Sequence, residues 1–214
     1  MTPKDPKYRF IHNEILTSAI NATFQRGKVY PSKETLSLIL TDKKTEKEYE
    51  KNCKQFKKYL KNEIDWENIA CSKNIEDFII VLCKKITEKF KNINILNNNE
   101  FRAGTAQKLI NLYLKYRWCL GWSPEPPHCP FDEQVIGYLR DNTDDNVKQK
   151  IKNIKWTQMG SKINGGVEQG MKDYQNLVES AKIVSENEGY QSIAEWELQL
   201  WNEKSSVPTG LITK

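Results

Sequence analysis

No stretch of this chain approaches the apolar run that a membrane span needs. Its first residues, MTPKDPKYRF, hold no apolar core of the signal-peptide kind. Neither a membrane protein nor an exported one is expected, and the chain reads as cytoplasmic. It has no CxxC. The five cysteines, Cys53, Cys71, Cys83, Cys119 and Cys129, are odd in number and irregularly spaced, which argues against a disulfide framework and a zinc knuckle. Cys119, His128 and Cys129 come nearest to a ligand set, but their spacing does not favour a metal. No metal and no cofactor are expected. There is no β-alternation, no NG-type hairpin and no internal repeat. A strong excess of one charge is missing too. The net charge of +5 favours an anionic partner but is milder than many nucleic-acid-binding domains carry.

What is present is helical periodicity. At 214 residues the chain can build one good-sized core, or two small lobes sharing one. Ile11, Ile15, Ala19, Ile20 and Phe24 mark a first helix that Gly27 and Pro31 end. Ser32 caps a short second one. Thr45 and Glu48 have capping-box spacing and precede Tyr49, Cys53, Phe56 and Leu60 on one helical face. The other face of that helix holds Lys47, Lys51, Lys54, Lys58 and Lys61, read first as a solvated surface and second as a phosphate track. Ile75 to Phe90 repeats the helical pattern, and Asn97, Asn98 and Asn99 form a polar joint. Later come a glycine-rich loop, MGSKINGGVEQG, a helix through Met171 and Tyr174, and another capped by Ser192 with Glu195. The expected fold is all-α, roughly nine or ten helices with short loops. It is read as a single domain over residues 1–214, with a lobe boundary near residues 97–103 and a fraying tail from residue 205.

The chain is organised around Phe101 to Leu139, FRAGTAQKLINLYLKYRWCLGWSPEPPHCPFDEQVIGYL. Gly104 opens a helix and allows close backbone approach. The N–H groups of Thr105, Ala106 and Gln107 are expected to be exposed and able to hold a phosphate at the helix start, with Arg102, Lys108 and Lys115 as nearby cations. Lys108, Asn111, Lys115 and Trp118 share one side. A proline-rich loop follows, and then Asp132 beside Pro130 and Phe131. By residue type alone, Asp132 is first a helix cap and Lys108 a surface lysine.

The pattern G-x-x-x-K-x-x-N-x-x-L, followed by a proline-containing loop and P-Φ-D-x-x-V, resembles the helix-hairpin-helix base-excision DNA glycosylases. Gly104, Lys108, Asn111, Pro130, Phe131, Asp132 and Val135 stand at the matching places, and the resemblance covers Phe101 to Leu139. It departs from the family where the hairpin reads Arg102, Ala103, Gly104 and then Ala106, without the usual Leu-Pro-Gly or a second glycine, and where Glu133 and Gln134 follow the aspartate. It also lacks the C-terminal cysteine cluster, so the iron–sulfur cluster of some members is not expected.

What the resemblance implies is two helical lobes flanking a cleft, with a central helix-hairpin-helix-like element. The partner would be double-stranded DNA carrying a damaged or modified base, including the hypermodified bases of some phage genomes. A monomer would flip that base out and excise it. Asp132 would be the catalytic carboxylate and Lys108 the amine of a lyase-capable enzyme. Asn111, Tyr116, Trp118 and Trp122 are the base-pocket candidates. A non-catalytic DNA-binding module and a helical protein-interaction domain are the competing readings.

Overall fold

The structure, a computed structural model, describes residues 4–204, so the tail expected from residue 205 lies outside the described residues. Those residues form ten α-helices and no strand. They are α1 (Pro6–Arg26), α2 (Lys33–Ile39), α3 (Lys43–Asn62), α4 (Trp66–Cys71), α5 (Ile75–Phe90), α6 (Ala103–Cys119), α7 (Glu133–Asn142), α8 (Asp145–Ile151), α9 (Gly166–Asn187) and α10 (Ile193–Lys204). Short 3-10 turns occupy Asn97–Asn99 and Lys162–Asn164. No helix among the described residues is long and apolar enough to cross a membrane.

Most helices begin on a side-chain oxygen that takes an otherwise unpaired N–H of the first turn. Asp5, Ser32, Asp42, Asp65, Asn74, Asp132 and Asp144 do this for α1 to α5, α7 and α8. Ser192 does it for α10 through the Glu195 N–H. The capping box of α3 is Asp42 with Thr45, three residues earlier than the sequence spacing of Thr45 and Glu48 suggests. Neither α6 nor α9 has a side-chain cap. Their starts lean on backbone instead: Gly104 N–H donates to the Met159 carbonyl at 3.0 Å and Gly166 N–H to the Ser161 carbonyl at 2.8 Å. The stretch expected to be a plain loop therefore closes two helix starts, and α9 begins within it.

Helix α6 is the centre. Thirteen of its 17 residues are buried, so it has no outward stripe, and α1, α5 and α9 pack around it. One apolar core runs from Leu16 to Leu200. It crosses the joint at residues 97–103 without a break, through Ile95, Leu96, Phe101 and Ala103.

Candidate active site

Gly104 lies in the second position of α6 because nothing larger fits there. A Cβ on it would lie 1.7 Å from the Trp156 carbonyl oxygen. Gly160 closes the same contact from the other side: its φ is +82°, and a Cβ on it would lie 2.7 Å from Ala103. The segment from Trp156 to Gly160 thus lies directly on the start of α6. This corrects the expectation of an open anion site: Gly104, Thr105, Ala106 and Gln107 are all buried, and a protein carbonyl takes the Gly104 N–H. The cations expected beside a phosphate are also engaged. Arg102 is 6 % exposed, donates from Nε to Glu100 Oε1 at 2.9 Å and reaches the Thr157 carbonyl. Lys115 pairs with Glu197 Oε2 at 2.7 Å.

One turn into α6, two neighbouring side chains reach the residues that lead into α7. Gln107 clamps Phe131 from both sides, donating to its carbonyl at 2.6 Å and accepting from its N–H at 3.1 Å. With Phe131 fixed, Asp132 stands at the head of α7. Its Oδ1 accepts from the Gln134 and Val135 N–H groups, and its Oδ2 accepts from Lys108 Nζ at 3.1 Å. Asp132 is therefore both the helix cap and the partner of Lys108. The Lys108 ammonium also stands 4.6 Å from the centre of the Trp156 ring, a cation–π contact. The side chains of Lys108 and Asp132 are 7 % and 18 % exposed, so solvent reaches the pair from the aspartate side. Five surface depressions of 230 to 620 Å3 are lined by other residues.

A second buried pair lies two turns along α6. The side chains of Lys115 and Glu197 are 9 % and 3 % exposed. Burial pushes the Glu197 carboxyl above its ordinary value; Lys115 and Lys108 pull it down, and the Asp132 charge adds to the rise. The two pairs thus share one electrostatic neighbourhood. The Cys129 thiol is pushed well above its ordinary value by burial and then by Glu197 and Asp132, against Lys115, which keeps it a thiol rather than a nucleophilic thiolate. With Arg102–Glu100, three largely buried ion pairs involve α6 and its first flanking residue, a costly way to hold helices together because desolvation consumes most of the attraction.

The raised carboxyl gives a pH signature. With a folded value above the ordinary 4.5, Glu197 contributes stability that is fully present below that value and is lost as pH rises through the folded one. Unfolding midpoints of the wild type and Glu197→Gln, measured from pH 3 to pH 8, are expected to differ in slope. The wild type loses stability relative to the variant as pH rises through this window, and parallel curves would refute the assignment.

Of the base-pocket candidates, Asn111 is fully buried and donates to the Tyr174 hydroxyl at 3.0 Å. That hydroxyl also bonds His128 Nδ1 at 2.8 Å. Tyr116 is half-buried. Trp118 lies about 15 Å along the helix axis from Lys108, and Trp122 stacks on Tyr8 at 4.5 Å in a separate cluster around Arg117 and Glu67. Neither tryptophan is brought to the pair. The aromatic ring that is there, Trp156, and the second carboxylate, Glu197, carry no signal in the local sequence. Among the described residues no three His, Cys, Asp or Glu side chains are grouped to hold a metal ion.

These features define an all-α protein with a lysine–aspartate pair at the junction of its buried central helix and the next helix. No protein-family model matches the chain, and no curated protein and no solved structure matches it either.

Proposed function

We propose that this protein is a DNA N-glycosylase that excises a damaged or modified base and also carries abasic-site lyase chemistry. The observation that supports this reading most is the 3.1 Å contact between Lys108 and Asp132, two residues 24 positions apart that the family pattern pairs. In this reading a nucleotide flipped from the duplex reaches the pair from the solvent-facing side of Asp132, at the head of α7. Unstacking costs a few kcal/mol, least for a damaged or weakly paired base. As the glycosidic bond breaks, its electron pair leaves with the base and positive charge develops on the sugar. The Asp132 carboxylate stabilises that charge. Once the charged carboxylate has served the forming sugar cation, the Lys108 ammonium passes the proton of the ion pair to Asp132, and the freed Nζ lone pair bonds to C1′. The bound nitrogen then gives up a second proton, which passes to the ring oxygen as the bond from C1′ to that oxygen breaks, leaving a protonated imine.

Borohydride trapping tests this directly. Wild-type protein incubated with modified or abasic duplex DNA is expected to give a covalent adduct on reduction, and Lys108→Ala none. Equal trapping by Lys108→Ala, or free base released with nothing trapped, would leave the lysine a binding role only. DNA binding without base release from any substrate would leave a binding module.

A further inference from the structure

The start of α6 is closed, so an anionic partner needs another surface, and the second half of α3 supplies one. Residues 51–62 contain five lysines and no carboxylate, and their +5 equals the net charge of the entire chain. Among the described residues none of these five lysines is in an ion pair; the lysines that are lie elsewhere. A groove of 620 Å3 between α1 and α3 is lined by Lys54, Lys57, Lys58 and Lys61 against a single carboxylate, Glu14. Two of the cations are held in place by neutral groups of α1: Lys57 Nζ donates to Asn21 Oδ1 at 3.3 Å and Lys61 Nζ to Thr17 Oγ1 at 2.6 Å. Across the α3 ridge, a second depression of 520 Å3 shares Lys58 and adds Lys89 of α5, with the Glu63 carboxylate between α3 and α4 also on its wall.

We propose that the α1–α3 groove binds a nucleic-acid phosphodiester backbone. Unpaired cations lining a concave surface focus positive potential into it. Lys54, Lys58 and Lys61 follow one another along a single helix face over about 10 Å. That is a row for a polymer of repeating anions rather than a cup for one small anion. The helix dipole accounts for Lys61 alone, in the last turn. An anionic membrane is the poorer occupant: helices that lie on bilayers present large apolar side chains to them, whereas Phe56, Tyr59 and Leu60 of α3 are buried. The inference stands apart from the reading of Lys108 and Asp132.

The test is the salt dependence of binding by the full chain to duplex DNA, single-stranded DNA and RNA of equal length, with phosphatidylserine vesicles as a fourth arm. For the variant Lys54→Ala/Lys57→Ala/Lys58→Ala/Lys61→Ala, the slope of log K against log salt is expected to fall by about 3 to 4 on duplex DNA and somewhat less on a single strand. The corresponding four-arginine variant keeps the slope, and the arm that the wild type binds most tightly at one fixed salt concentration names the polymer. Lys54→Glu/Lys58→Glu, at two exposed positions, serves if the alanine variant does not fold. Asp132→Asn, run alongside, keeps the slope, so loss of chemistry and loss of the groove are separable. An unchanged slope in the folded alanine or glutamate variant, no binding to any nucleic acid, or binding to vesicles alone would overturn the proposal.

Discussion

Replacing Asp132 with asparagine is expected to lower base release by about 10^3-fold, the scale for removing a group that stabilises transition-state charge, while the protein still folds and binds DNA. The fold survives because asparagine is as good an N-cap as aspartate. One amide oxygen can still accept from the Gln134 and Val135 N–H groups. What is lost is the anion facing Lys108, now a buried cation beside an amide. The expected cost is about 1–3 kcal/mol, below that of breaking a fully buried pair because solvent reaches the aspartate side. Two measurements separate the roles: single-turnover release of base, and the thermal midpoint. Activity within tenfold of wild type would mean that the carboxylate is only a cap and an ion-pair partner.

The second large effect is on the fold. Gly104→Ala is expected to cost more than about 4 kcal/mol, or at least about 8 °C in Tm for a chain of this size. The added methyl would meet the Trp156 carbonyl oxygen at 1.7 Å and its carbon at 2.8 Å, both backbone atoms that no rotamer change can move. Either α6 or the segment over it must shift, and that segment carries the ring beneath Lys108. The control is Gly137→Ala in α7, where an added Cβ meets nothing within 4 Å. There the same change should stabilise by about 0.5–1 kcal/mol through helix propensity. Equal thermal midpoints for the two variants would show that the close approach at Gly104 is relaxed in solution.

Long helices were legible because their buried faces repeat with helical period, as in α5 and α9, while Ser32 and Ser192 announce the starts of the shorter α2 and α10. The six-residue α4 was not: it is too short for a period to show, and it is fixed by the Asp65 cap and by the buried Trp66, whose Nε1–H donates to the Leu60 carbonyl. The pairing of Lys108 with Asp132 was legible only through the family pattern. The polar residues of α6 misled for a physical reason. A charged or amide side chain on a helix reads as solvent-facing, yet each of these is buried against a partner far along the chain. Gln107 meets Phe131, Asn111 meets Tyr174, Lys115 meets Glu197 and Arg117 meets Glu67. Local sequence carries no mark of such partners, and so Glu197 and Trp156 stayed invisible.

The Lys115–Glu197 pair also joins two parts of the chain that are made at different times. Lys115 emerges with α6, but its counter-ion emerges 82 residues later, in α10. Until α10 docks, α6 cannot be enclosed without stranding a bare ammonium in the core, at a cost of several kcal/mol. The growing chain therefore has reason to stay open around its central helix until α10 leaves the ribosome. Chains cut short before Ile193 should behave as unfinished ones, held out of the compact state and left to proteases.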